Sequence, residues 1–111
     1  MAVLRPKIKN IERLIAHCQR RTYVAKTNIL CAGDPAHTLS FILKGSVTIL
    51  IEAEEGREMI LAYLNPGDFF GEMGLFEPPG EVHLRSAWVR ARTECEVAEI
   101  SYVKFRELAA Q

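Results

Sequence analysis

From residue 11 onward, the apolar positions Ile11, Leu14, Ile15 and Cys18 fall at i, i+3, i+4 and i+7, the spacing of one helix face. Asn10 stands where an N-cap would accept the first free N–H groups, and Glu12 lies in the first turn, on the favourable side of the helix dipole. The period then changes. Residues 41–43, 47–51, 59–64, 88–91 and 95–100 are short runs rich in β-branched and aromatic side chains, which predict strands. Between them stand the turn signals Gly33-Asp34-Pro35, Lys44-Gly45-Ser46, Glu54-Glu55-Gly56, Asn65-Pro66-Gly67 and Pro78-Pro79-Gly80. They recur at roughly the 8 to 12 residue interval of a β-sandwich or barrel. The pattern predicts a mainly β fold, an antiparallel jelly roll (double-stranded β-helix) with short flanking α-helices. Ser101 is placed to cap a second amphipathic segment, with Tyr102, Phe105, Leu108 and Ala109 on one face.

At 111 residues and 49% hydrophobic, the chain suffices for one packed core, so residues 1–111 are read as one domain. Basic and acidic residues balance at 14 each, which removes any global field for nucleic acid or a membrane surface. An anion would have to be bound locally. Cys18, Cys31 and Cys95 are odd in number and lack a Cys-x-x-Cys pair, so neither a disulfide framework nor a zinc site is expected. They read as reduced, half-buried thiols. The opening residues contain no long apolar run, hence no signal peptide or membrane span is indicated, and the simplest expectation is a cytoplasmic protein.

Candidate chemistry concentrates between Gly67 and Ala91. Gly67, Gly71 and Gly74 let the backbone approach a ligand closely. A single helical turn beginning near Gly71 would present unpaired N–H groups to an anion, and the loop from Glu77 to Leu84 would bring Arg85 back over it. Glu72 is an acceptor for sugar hydroxyls, whereas Arg85 is a planar donor fork for phosphate and Ser86 adds a hydroxyl. Singly, each is ordinary. Their joint placement around a glycine-rich turn predicts a pocket for a phosphorylated sugar.

The same residues resemble a known family. Residues 45–51 (Gly-Ser-Val-Thr-Ile-Leu-Ile), 54–61 (Glu-Glu-Gly-Arg-Glu-Met-Ile-Leu), 63–77 (Tyr-Leu-Asn-Pro-Gly-Asp-Phe-Phe-Gly-Glu-Met-Gly-Leu-Phe-Glu), 85–91 (Arg-Ser-Ala-Trp-Val-Arg-Ala) and 95–102 (Cys-Glu-Val-Ala-Glu-Ile-Ser-Tyr) are similar to the cyclic AMP receptor protein (catabolite activator protein) family, in particular its virulence factor regulator type. The resemblance implies that Gly71 and Glu72 hold a ribose, and that Arg85, Ser86 and the backbone N–H of Ala87 hold a cyclic phosphate. It implies that Ile49, Leu61, Leu64 and Met73 line the apolar side of the pocket, although alternate strand residues of any barrel face inward. Cyclic AMP would be an allosteric ligand, with no cofactor, no metal and no catalysis.

Two departures stand out: Met73 replaces a usual leucine, and the arch from Pro78 to Leu84 looks longer than in the enteric receptor. The family's dimerisation helix and helix-turn-helix domain are not in these residues, so homodimerisation and binding to DNA and RNA polymerase are expected of a full-length form. In the family, surfaces comparable to Arg20, Arg21 and Lys104, and to Glu54, Glu55 and Glu58, touch the polymerase. Three alternatives stand beside this reading: solvated charged faces at those positions, a relative that senses cyclic di-GMP or no ligand, and a cupin-type metalloenzyme. Retention of Arg85 and Ser86 speaks for cyclic AMP. His17, His37 and His83 are too scattered to build a cupin metal site.

Overall fold

The computed structural model describes residues 11–78 and 80–110. Asn10, expected to cap the first helix, and Pro79 of the arch lie outside the described residues. The first helix, α1 (Ile11–Ala16), buries Leu14 and half-buries Ile11, Ile15 and Cys18, the face that the spacing predicts. It ends in a tightened turn in which His17 N donates to Leu14 O and Cys18 N to Ile15 O, each at 3.0 Å.

Eight strands follow: β1 (Gln19–Tyr23), β2 (Asn28–Leu30), β3 (Thr38–Lys44), β4 (Val47–Glu52), β5 (Glu58–Leu64), β6 (Phe69–Phe70), β7 (Trp88–Ala91) and β8 (Cys95–Ser101). They form two four-stranded antiparallel sheets, ordered β1-β8-β3-β6 and β2-β7-β4-β5. The chain changes sheet at every connection except β4–β5, as the interleaved strands of a jelly roll do. Five of the strands cover the predicted runs. The other three were not foreseen: β1 reads Gln-Arg-Arg-Thr-Tyr and is almost wholly exposed, β2 has three residues, and β6 has two.

One core lies between the sheets and contains Ile42, Val47, Leu64, Phe70, Val89 and Val97. A second lies on the other face of the β1-β8-β3-β6 sheet, where Leu39, Phe41, Ala98 and Ile100 meet Leu14 of α1 and Tyr102 of the closing helix, α2 (Tyr102–Ala109). The middle of β3 is therefore covered on both faces, and Leu39, Ser40, Phe41 and Ile42 are all buried without alternation. Ser101 caps α2 as expected, its hydroxyl accepting from Lys104 N at 3.1 Å. Phe105 and Leu108 pack on the second core, but Ala109 is exposed.

Candidate ligand-binding site

The backbone brings Arg85 to Gly71 in two steps. First, the turn after β5 is fixed by Asp68, whose N–H donates to Asn65 O and whose carboxylate accepts from Asn65 N, both at 2.9 Å. This aims β6 along β3 and releases the chain at Gly71. Second, the segment leading to Arg85 is pinned to the Gly33-Asp34-Pro35 turn: Gly33 N donates to Arg85 O at 2.8 Å, Arg85 N to Asp34 O at 2.7 Å and Ala36 N to His83 O at 2.7 Å.

Arg85 is 7% exposed, an unusual degree of burial for a guanidinium, and it is hydrogen-bonded accordingly. Its Nη1 donates to Gly71 O at 2.9 Å and Tyr102 Oη at 3.4 Å, and its Nη2 donates to Thr38 O at 2.9 Å and Thr38 Oγ1 at 3.3 Å. The Tyr102 hydroxyl in turn donates to Gly71 O. Gly71 has φ +86°, and a Cβ there would stand 2.9 Å from Thr38 O and 3.1 Å from Arg85 Nη1, so only glycine fits.

The single helical turn expected after Gly71 is instead a non-helical turn: Glu72 O accepts from Gly74 N and Leu75 N, both at 2.9 Å, and Gly74 has φ +159°. Leu75, 4% exposed, plugs the turn into the second core, and Arg106 of α2 donates to Leu75 O at 2.5 Å. Burial pushes the Tyr102 phenol above its usual range; the Arg85 cation pulls it down, and the Glu72 carboxylate adds to the rise. Glu72 and Arg85 thus act on one hydroxyl from opposite signs.

Of the residues singled out by sequence, Gly71, Glu72 and Arg85 converge. Ser86, next to Arg85, is exposed and Ala87 is half-buried. The apolar set divides. Ile49 (8% exposed) and Leu64 (5%) belong to the core between the sheets, whereas Leu61 (48%) and Met73 (56%) are solvent-exposed. A register shift between Ile49 and Leu50 leaves Leu61 opposite no partner of β4. Thr38 and Tyr102 were not foreseen as site residues. Trp88 lies on the outer face of the β2-β7-β4-β5 sheet, in a recess of about 180 Å³ with Asn28, Leu50, Glu52, Glu58 and Arg90.

Arg85 is thus buried and hydrogen-bonded beside the glycine turn. The profile of the cyclic nucleotide-binding domain matches residues 20–111. The chain belongs to that family. This cyclic nucleotide-binding domain is 66% identical over 106 residues to the cAMP-activated global transcriptional regulator Vfr of Pseudomonas aeruginosa, covering 96% of the chain and 50% of the relative. It is 57% identical over 98 residues to the cAMP-activated global transcriptional regulator CRP of Salmonella typhimurium, covering 88% of the chain and 45% of the relative. The chain therefore spans about half the length of these curated relatives. Among solved structures, the c-di-GMP responsive global regulator CLP of Xanthomonas campestris superposes with a TM-score of 0.79 at 45% identity, over 88% of this chain and 46% of that one.

Four of the six surface charges singled out by sequence have ion-pair partners. Arg20 meets Glu96 at 3.2 Å, Arg21 meets Glu99 at 3.0 Å, Lys104 meets Glu107 at 3.9 Å and Glu58 meets Arg90 at 2.7 Å. Cys18, Cys31 and Cys95 are free thiols, Cys95 buried and the others half-buried. Among the described residues, no group of three or more His, Cys, Asp or Glu is placed to hold a metal. Nor is any described helix long and apolar enough to cross a membrane.

Proposed function

We propose that this chain is the cyclic AMP-binding sensor domain of a transcription regulator of the cyclic AMP receptor protein type, with no catalytic activity of its own. Arg85, Ser86 and the N–H of Ala87 take the cyclic phosphate. Gly71 and Glu72 take the ribose, with Ile49, Leu61, Leu64 and Met73 on the apolar side. The observation that carries this reading is the buried guanidinium of Arg85 beside Gly71, within the Arg-Ser-Ala-Trp and Gly-Glu-Met-Gly segments. A buried cation beside a glycine turn supplies the charge an anion needs, and the charge-assisted fork of a guanidinium matches a phosphodiester. In a longer, cytoplasmic protein, occupancy would govern DNA binding by a homodimer and contact with RNA polymerase.

Similarity to the c-di-GMP responsive regulator CLP gives a second reading, in which the ligand is a cyclic dinucleotide. Arg85 and Ser86, suited to one phosphodiester, favour the mononucleotide. Calorimetric titration of the 111-residue chain with cyclic AMP, cyclic GMP and cyclic di-GMP separates the two. Saturable heat with cyclic AMP supports the proposal; heat with cyclic di-GMP alone replaces it, and none with any of the three defeats both.

A further inference from the structure

Arg85 carries five N–H donors. Four protein acceptors face its terminal nitrogens: Gly71 O and Tyr102 Oη at Nη1, and Thr38 O and Thr38 Oγ1 at Nη2. With one N–H assigned to each acceptor, one donor is left, whereas a bidentate grip on phosphate uses two. Gripping a phosphate as a fork therefore takes Arg85 off at least one protein acceptor. A buried carbonyl that loses its donor is costly. Gly71 O is the acceptor with a replacement in place, because the Tyr102 hydroxyl already donates to it.

We propose that Tyr102 is a positioning residue of the ligand site, whose hydroxyl keeps Gly71 O satisfied when Arg85 turns its Nη1 edge to the phosphate. The proposal rests on the reading of Arg85 as the phosphate ligand. Tyr102 is well placed for this work. It is the first residue of α2, directly after the Ser101 cap; the residue is 6% exposed in the second core, and the Arg106 guanidinium lies 5.8 Å from the ring centroid. Arg106 also holds Leu75 O. Two residues one helical turn apart on α2 thus grip both ends of the turn from Gly71 to Leu75, and exchange of donors at Gly71 O is felt by α2.

The test combines calorimetry with NMR of the 111-residue chain carrying tyrosines labelled at Cζ. The three tyrosines, Tyr23, Tyr63 and Tyr102, are assigned by substitution to Phe. Saturation with cyclic AMP should shift the Tyr102 Cζ resonance while those of Tyr23 and Tyr63 stay in place. Tyr102→Phe should weaken cyclic AMP binding about tenfold, the order expected when a buried carbonyl loses its donor. An unmoved Tyr102 resonance in a wild-type chain that binds the ligand overturns the proposal, and so does wild-type affinity in Tyr102→Phe. The resonance measurement decides even if that variant fails to fold. Failure of the wild-type chain to bind cyclic AMP at all is a different result, which defeats the underlying reading of the pocket and the proposal with it.

Discussion

Arg85 Nη1 donates to Gly71 O at 2.9 Å, joining residues fourteen apart in sequence, and the same guanidinium reaches Thr38 O on β3. One side chain thus ties the glycine turn to the barrel wall and is at the same time the candidate phosphate ligand. Removing it has two consequences that can be measured apart.

Arg85→Leu is expected to abolish cyclic AMP binding and to destabilise the fold by about 1–3 kcal/mol, because buried carbonyls lose a charged donor. Glu72→Gln keeps an acceptor for a ribose hydroxyl, leaves the melting temperature unchanged and weakens binding about tenfold. Calorimetry and thermal melts of both variants check the order; a larger binding loss in Glu72→Gln would sink the assignment of roles.

Gly71→Ala meets two penalties and Gly67→Ala one. Both glycines lie in the left-handed region, at φ +86° and +94°, and each substitution incurs about 1–2 kcal/mol of backbone strain. Only at Gly71 would the new methyl stand 2.9 Å from Thr38 O and 3.1 Å from Arg85 Nη1; at Gly67 nothing lies within 4 Å. Denaturant melts should show the Gly71 variant to be the less stable, and calorimetry should show ligand binding lost only there. Equal effects would mean that the close approach at Gly71 is irrelevant.

Leu75→Ala should cost about 2–5 kcal/mol, as expected for a buried leucine, whereas Phe76→Ala, at 90% exposure, should cost almost nothing. Because Leu75 anchors the glycine turn under α2, affinity for the ligand should fall with it even under conditions where the variant remains folded. Wild-type affinity in folded Leu75→Ala would show that the anchor does not position the site.

Stability should decline in alkali. Burial, reinforced by the Glu99 carboxylate that accepts its hydroxyl proton, pushes the Tyr23 phenol up to about 12. Burial also pushes the Cys18 thiol up to about 11. The folded chain therefore holds these protons more tightly than the unfolded chain, and their contribution is complete below the unfolded values and lost as pH rises through the folded ones. Urea melts should show stability falling from about pH 9 to 12, with Tyr23→Phe flattening the upper part of the slope and Cys18→Ala the lower. A slope unchanged in both variants would assign the decline to other groups.

What could be read from the sequence followed the strength of local signals. Five strands announced themselves because their apolar runs are long and bounded by turns. β1 did not, because an edge strand that faces water on nearly every residue carries the composition of a loop. Arg85 and Gly71 stood out by residue type, whereas their partners Thr38 and Tyr102 did not. Thr38 acts partly through a backbone carbonyl, which has no side-chain signature. Tyr102 reads as an apolar position on an amphipathic helix, which it also is. Leu61 stands three residues from the buried Leu64, so strict alternation cannot place both inward, and the register shift beside Leu61 is not legible in the residue types.

Ser101 is both the last residue of β8 and the cap of α2, so strand and helix meet without an intervening loop. A loop would let the helix drift while the sheet stayed still. Here α2 can only pivot about a residue whose strand is laddered to β1 on one side and β3 on the other. Motion at the helix must either be a hinge rotation at one cap or be passed into the sheet's pairing. The junction thus behaves as a stiff joint, and the Ser101–Lys104 bond is the place where such a rotation would first be visible.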